Sequence, residues 1–257
     1  MPTFQSNGAN IYYVDEGSGP PMLLVHGFAS SIEGNWRFTG VIDALVASGR
    51  RVVALDCRGH GKSDKPHDPA AYGTNAMAQD AVALMDHLRI ERADLMGYSM
   101  GGYIATSLVI QHPDRFRSAV IGGAGERVLT GDFDAIATTH IADALDSPDG
   151  ATANPIAKQF RTFAEANGDN DLKALAAVMR AGRPRVDASK LSGISIPVLV
   201  IAGESDPLVG NVARIAEAIP GSRLTKLPGD HLTVFAGRAY RDAVLAFLTE
   251  QSPVATA

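Results

Sequence analysis

An α/β fold, a mostly parallel twisted sheet with helices on both faces, is predicted for this 257-residue chain by three observations. Short, unbroken apolar runs such as Met22-Leu23-Leu24-Val25 and Val198-Leu199-Val200-Ile201-Ala202 suit strands buried on both faces of a parallel sheet. Segments with helical spacing alternate with those runs about six times, which short loops accommodate only through parallel crossovers. The apolar runs also end in glycine-containing loops, where open α/β sheets place their ligand contacts. This length can bury a full core, as one large α/β domain or as one domain plus an inserted subdomain.

Residues 2–7 and 9–16 are β-prone and separated by Asn7-Gly8, a hairpin-type turn signal. Gly17-Ser18-Gly19-Pro20-Pro21 breaks the chain before the strand Met22–Val25, which ends in His26-Gly27-Phe28-Ala29-Ser30-Ser31. A helix is predicted from about Asn35 to Ser48, stopped by Gly49, followed by the strand Arg51–Leu55 and the loop Asp56–Pro66. Thr74 to Leu88 carries Met77, Ala81, Leu84, Met85 and Leu88 on one stripe. Strand Ala93–Tyr98 then meets a helix running to about Gln111, and the strand Ser118–Ile121 closes with Gly122-Gly123.

From Glu126 to Leu191 the alternation stops, and three amphipathic helices follow without a strand between them. The first carries Phe133, Ile136, Ala137, His140, Ile141, Ala144 and Leu145 on one stripe. Asn154-Pro155 reads as an N-cap with proline at the first helical position, opening a helix with Ile156, Phe160 and Phe163. The third covers Asp171 to Ala181 and is closed by Gly182. Residues 126–191 are therefore expected to form a helical cap on a core made of 1–125 and 192–257. The β/α alternation resumes with the strand Pro197–Ala202, a helix from about Val209 to Ala218, the strand Ser222–Leu227 and a final helix from about Arg238 to Thr249. The tail Gln251–Ala257 is expected to fray.

A formal net charge of −5 argues against non-specific binding to nucleic acid or to anionic membrane. The single cysteine, Cys57, excludes an intrachain disulfide and any multi-cysteine metal site. Met1-Pro2-Thr3-Phe4-Gln5 does not read as a basic segment leading into an apolar leader, and no apolar run approaches a membrane span. A cytoplasmic protein is expected, with a small molecule as its partner and an oligomeric state that the sequence leaves open.

The chemistry centres on Gly97-Tyr98-Ser99-Met100-Gly101, a G-x-S-x-G turn between a buried strand and a helix. In a chain of this composition the pattern arises by chance roughly 0.16 times, so its strand-to-helix context carries the weight. Glycines flank the serine because a Cβ there would collide with the elements that close over the turn. Ser99, Asp206 and His231 all fall at carboxyl ends of predicted strands. Acyl transfer needs a hydroxyl, an imidazole to take its proton, and a carboxylate to fix the imidazole's tautomer. Serine, then acid, then histidine is the chain order expected when the nucleophile rides a strand-to-helix elbow.

These residues, with His26-Gly27-Phe28, Asp56-Cys57-Arg58-Gly59-His60-Gly61-Lys62-Ser63, Gly101-Gly102, Ala202-Gly203-Glu204-Ser205-Asp206 and Gly229-Asp230-His231, resemble the α/β-hydrolase superfamily, serine hydrolase branch, over nearly the whole chain. The resemblance implies Ser99 as nucleophile, His231 as general base and then acid, and Asp206 as orienting acid. It implies an oxyanion hole built from the backbone N–H groups of Phe28 and Met100. Losing one such donor typically costs about 2.7–4 kcal/mol of barrier. No cofactor and no metal are implied.

Competing assignments are weaker. Asp230 is adjacent to His231, and backbone neighbours rarely face each other. Glu126 follows the preceding strand, where some members of the superfamily carry their acid, but Asp206 completes a strand-end motif. His26 and His60 are read as structural loop residues, and Cys57 as a small buried residue.

A serine at the elbow points to attack on a carbonyl, since relatives that open epoxides or displace halide are expected to hold a carboxylate there. A small or medium carboxylic ester, lactone or thioester is the expected substrate, as in the esterase, enol-lactonase and cofactorless haloperoxidase-like groups. The C–C bond hydrolases of the superfamily are an alternative; they usually carry Asn before the serine, where Tyr98 stands, and a more glycine-rich loop after His-Gly. A non-catalytic ligand-binding member of the fold is the other alternative. Tyr98, His140, Phe160, Phe163 and Leu232 are the candidate pocket residues. Arg127, Arg161, Arg180, Arg183 and Arg185 are read as solvated cap surface rather than as a clamp for an acidic substrate.

Overall fold

The computed structural model describes residues 2–130, 135–182 and 186–251. Eight strands form one sheet: β1 Thr3–Ser6, β2 Ala9–Glu16, β3 Pro21–Val25, β4 Arg51–Leu55, β5 Ala93–Tyr98, β6 Phe116–Gly122, β7 Val198–Gly203 and β8 Arg223–Leu227. Their spatial order is β1-β2-β4-β3-β5-β6-β7-β8. The β1–β2 and β2–β4 pairs are antiparallel and every later pair is parallel. The α/β class expected from the apolar runs is thus the architecture observed.

Strand alternation divides the core into two layers. Leu23, Val25, Val53, Leu55 and Leu95 face one side, packed with α2 (Thr74–His87) and α3 (Met100–Gln111). Met22, Leu24, Val52, Ala54 and Met96 face the other, packed with α1 (Val41–Ala47), Trp36 and a C-terminal helix at Arg238–Gln251. Both faces of the central strands are covered, which is why those strands read as continuous apolar runs rather than alternating ones.

One expected helix is broken. The segment predicted as a helix from Asn35 to Ser48 forms a five-residue π-type turn at Glu33–Arg37 and then α1. The Thr39 hydroxyl donates to the carbonyls of Asn35 and Trp36, and Gly40 adopts φ +71, which ends the first turn before the second helix begins. Between β6 and β7 lie α4 (Arg127–Thr130), α5 (Ala135–Asp146), α6 (Pro155–Ala166), α7 (Leu172–Arg180) and α8 (Ala188–Leu191). The short α4 and α8 were not anticipated. Asn154 caps α6 by accepting from the amides of Ile156 and Ala157, and Asp171 caps α7 through Lys173 and Ala174. The buried guanidinium of Arg161 donates to the carbonyls of Ala144, Leu145 and Ser147, satisfying the end of α5. A short α9 (Ala213–Ala218) and α10 (Arg238–Gln251) complete the chain. α9 is shorter than the predicted Val209–Ala218. Phe133, Arg183, Arg185 and the expected frayed end from Ser252 onward lie outside the described residues, as do the side chains of Ile136 and Ala137. Among the described residues, no helix is long and apolar enough to cross a membrane.

Two buried ion networks brace the sheet. Arg50 pairs with Asp94 at 2.5 Å, and Asp94 also accepts from Arg117 and Ser118. Arg58 grips Asp80 through two bonds of 2.7 and 2.6 Å, Ser6 donates to the same carboxylate, and Arg58 reaches the carbonyl of Ala71. This second network joins β1, the loop after β4 and α2. Asp80→Ala leaves the Arg58 charge buried without its partner, and a destabilisation of about 3–5 kcal/mol is expected in urea unfolding. A variant with the wild-type midpoint would contradict that role for the pair.

Candidate active site

The turn between β5 and α3 depends on close backbone approach. A Cβ on Gly97 would stand 2.0 Å from the carbonyl oxygen of Gly101, and one on Gly101 would stand 1.9 Å from that of Val25. Neither position tolerates a side chain, so the serine is presented at the apex of a corner only glycines allow. Ser99 sits at φ +54 and ψ −113, a strained conformation for a residue with a Cβ. Its amide is fixed by the Gly122 carbonyl at 2.8 Å, and its own carbonyl accepts from Gly102 and Tyr103 in the first turn of α3.

The loops after β7 and β8 are zipped together. Glu204 N–H donates to the Leu227 carbonyl and Ser205 N–H to that of Gly229. A Cβ on Gly203 would lie 2.4 Å from the Gly229 carbonyl oxygen. This contact carries Asp206 to His231. Asp206 Oδ1 accepts the Leu208 amide at 2.9 Å, and Oδ2 lies 2.7 Å from His231 Nδ1. With the proton on Nδ1 donated to Asp206, His231 Nε2 is left as an acceptor 2.8 Å from Ser99 Oγ. The Asp206 side chain is fully buried and that of His231 is 11 % exposed, so the pair is shielded while the imidazole keeps an open edge. The three strand-end residues therefore form one continuous hydrogen-bonded chain.

The loop after β3 runs beside the serine. A Cβ on Gly27 would lie 3.4 Å from Ser99 Cβ. The Gly27 amide donates to the buried Asn35 side chain at 2.7 Å, and His26 Nδ1–H donates to the Gly27 carbonyl at 2.7 Å. His26 Nε2 accepts the Cys57 amide at 2.9 Å. Burial lowers the His26 pKa despite the opposing pull of Asp56, so the ring is a neutral brace. Ser30 N–H closes a turn onto the Gly27 carbonyl, with Ala29 at φ +56. Among the described residues, the amides of Phe28 and Met100 donate to no protein acceptor. His60 donates to the Arg58 carbonyl at 3.0 Å and its ring packs on His26 and Phe28.

The pocket candidates separate. Phe160 of α6 is half-buried with its ring centroid 5.9 Å from that of Phe28, and Phe163 is half-buried against the core. Leu232 is 51 % exposed beside His231. Tyr98 is a correction, because at 2 % exposure it is core and not pocket wall. Its ring packs on Phe235 and on His231, and its hydroxyl donates to the His231 backbone carbonyl at 2.6 Å. His140 is a second correction: it is exposed rather than on the buried stripe, and its Nδ1 accepts from Asn154 Nδ2 at 3.1 Å.

The competing acids have other partners. Asp230 caps its own turn, accepting from the Thr233 hydroxyl and from the amides of Thr233 and Leu232, bonds that hold its carboxyl below the usual range. Glu126 accepts from Asn211 and Arg214. Among the arginines, Arg161 is committed to α5 and Arg180 pairs with Asp143 and Asp146. Asn35 and Asn170, both bonded to the loop after β3, were not singled out by the sequence reading.

The sequence matches the alpha/beta hydrolase fold family over residues 20–182. A segment covering 43 % of the chain is 40 % identical, over 112 residues, to the 2-hydroxymuconate semialdehyde hydrolase of Pseudomonas sp. (strain CF600), and spans 38 % of that protein. A segment covering 46 % is 34 % identical, over 117 residues, to an epoxide hydrolase of Caballeronia sordidicola, and spans 34 % of it. The chain thus spans little more than a third of either curated relative. The crystal structure of the enol-lactonase from Burkholderia xenovorans LB400 superposes with a TM-score of 0.74 at 26 % identity, covering 96 % of this chain and 100 % of that one.

Cys57 is 1 % exposed, and burial together with Asp80 and Asp56 pushes its thiol pKa well up. Native protein at neutral pH is therefore expected to resist iodoacetamide, with one adduct appearing by mass only after unfolding in urea. Rapid alkylation of the folded protein would contradict the buried placement.

Proposed function

The chain belongs to the alpha/beta hydrolase fold family, and from that premise we propose that it is a serine hydrolase cleaving a small to medium, uncharged carboxylic ester or lactone through an acyl-enzyme on Ser99. The observation that carries this reading is the unbroken relay from Asp206 through His231 to the Ser99 hydroxyl, at 2.7 and 2.8 Å. His231 Nε2 takes the Ser99 proton as Oγ attacks the carbonyl carbon, and Asp206 stabilises the resulting imidazolium. The Phe28 and Met100 amides receive the oxyanion. His231 then gives its proton to the leaving oxygen. A water activated by the same imidazole attacks the acyl-enzyme, and collapse of the second tetrahedral intermediate frees the acid and restores Ser99.

We assign residues 126–191 as a helical cap on a core of 1–125 and 192–257. The Phe28–Phe160 ring contact supports an apolar acyl or alcohol group. The engagement of Arg161 and Arg180 with protein carbonyls and carboxylates supports an uncharged substrate. Ser99 also separates this chain from an epoxide-opening mechanism, which uses a carboxylate at the elbow to form an alkyl-enzyme ester. A C–C bond hydrolase is the second reading, favoured by the 40 % identical segment shared with a semialdehyde hydrolase.

A series of p-nitrophenyl esters should show a short-chain optimum, and Ser99→Ala should lower kcat by about 10⁴-fold or more. Equal rates in the two proteins would leave the serine mechanism without support. Faster turnover of 2-hydroxymuconate semialdehyde than of any ester would favour the second reading, and saturable binding without turnover would favour a binding protein.

The Tyr98 hydroxyl holds the backbone of the residue proposed as base. Tyr98→Phe is expected to leave the circular dichroism spectrum unchanged and to lower kcat severalfold with KM little altered. An unchanged kcat would show that the surrounding rings alone position His231.

A further inference from the structure

We infer that Asn170, in the link between α6 and α7, is a positioning residue that sets the oxyanion loop and couples the helices between β6 and β7 to acylation; this rests on the serine hydrolase reading. Its Nδ2 donates to two backbone carbonyls, Ala164 at the end of α6 (3.0 Å) and Ala29 in the loop after β3 (2.9 Å). Both amide hydrogens are thereby used, one on each side of the boundary between the helical segment and the loop.

The Ala29 end of this bridge is where the loop is strained. Gly27–Ser30 is a four-residue turn closed by Ser30 N–H to the Gly27 carbonyl, and Ala29 occupies its third position at φ +56. A turn with positive φ at that position normally recruits glycine or asparagine. An alanine persists there only where its surroundings over-determine it. Ala29 is 1 % exposed, so in the intact protein its carbonyl is held by the Asn170 donor rather than by bulk water. Loss of that donor leaves rotation of the turn itself as a relief, and the residue before Ala29 is Phe28. That rotation redirects the Phe28 amide, which follows a glycine packed 3.4 Å, by its ideal Cβ position, from Ser99 Cβ.

The other tethers described on this loop come from the core: Asn35 on the Gly27 amide, His26 on the Gly27 carbonyl, and Asp56 on the Ile32 amide at 2.7 Å. Asn170 comes from the helical segment. Beside it, Asp171 caps α7 and its other carboxylate oxygen meets His67 at 2.8 Å, so the link is fixed to the loop after β4 as well. The Phe28–Phe160 contact spans the same boundary. A displacement of α6 and α7 therefore pulls on Ala29 first, and the geometry that stabilises the oxyanion depends on how the helices are seated.

The test measures p-nitrophenyl acetate turnover and the affinity of a phenylboronic acid, which forms a tetrahedral adduct with an active serine, in wild type, Asn170→Ala and Asn170→Asp. The aspartate keeps the shape but replaces the donor with an acceptor. Both variants should fold, lose about tenfold in kcat with KM within about twofold, and lose boronate affinity in parallel, since a misaimed amide weakens only the tetrahedral state. Adding Ala29→Gly to Asn170→Ala should recover at least part of the lost kcat, because glycine holds positive φ without a tether. Wild-type kcat and boronate affinity in both folded variants, a change confined to KM, or no recovery with Ala29→Gly would overturn the inference. Loss of the fold in both variants would also overturn it, by making Asn170 a purely structural tie. Ser99→Ala turning over the ester at the wild-type rate would instead remove the serine hydrolase reading itself.

Discussion

At φ +54 and ψ −113, Ser99 occupies backbone space that disfavours an L-residue, and it stays there because β5 and α3 meet too closely for any other path. The hydroxyl is held out from the sheet edge by glycines whose missing side chains admit the carbonyls of Gly101 and Val25. The same corner starts α3, so the N-terminal amides of that helix face the space where the hydroxyl lies. Everything else near the site is arranged around a fixed point: the zipped loops after β7 and β8 bring an imidazole to it, and the loop after β3 passes it on the other side.

The proposed chemistry and the bracing lie apart in the molecule. The carboxyl ends of β5, β7 and β8 carry Ser99, Asp206 and His231, in line with the general placement of sites in open α/β sheets. Much of the buried charge is spent elsewhere. Asp94 lies near the start of β5 and β6 with Arg50, Arg117 and Ser118, and Asp80 with Arg58 and Ser6 joins the first hairpin to α2. Each carboxylate is matched by cationic and neutral donors, so neither network leaves a charge unpaired in the core. His26 belongs to the bracing group as well: although it lies in the loop beside Ser99, both ring nitrogens are bonded to backbone.

The central parallel strands were legible in the sequence because burial on both faces makes them continuous apolar runs, and Arg51–Leu55 was placed to the residue. Asn154 announced α6 because a cap is a local device with a local signature. What failed depended on contacts distant in sequence. The break at Thr39-Gly40 is made by a hydroxyl bonding backward and by a left-handed glycine inside a helical pattern. His140 was placed on the stripe by spacing, yet Ile141, Ala142, Ala144 and Leu145 are the residues that pack inward. Tyr98 stands among the candidate pocket residues, whereas the pleat of β5 sends it into the layer with Phe235 and Tyr240. Asn170 gave no signal, since an asparagine between two short helices is an ordinary turn residue until its partner 141 positions away is known.

The central claim is that Ser99, activated by His231, is the nucleophile of this alpha/beta hydrolase. Reaction with a fluorophosphonate followed by intact-mass and peptide analysis tests it most directly, because the reagent reacts preferentially and irreversibly with an activated serine. A single adduct on the peptide carrying Ser99, formed in step with loss of esterase activity and absent after His231→Ala, is the predicted result. Full loss of activity with the adduct on another residue, or persistent activity after complete modification of Ser99, would contradict it.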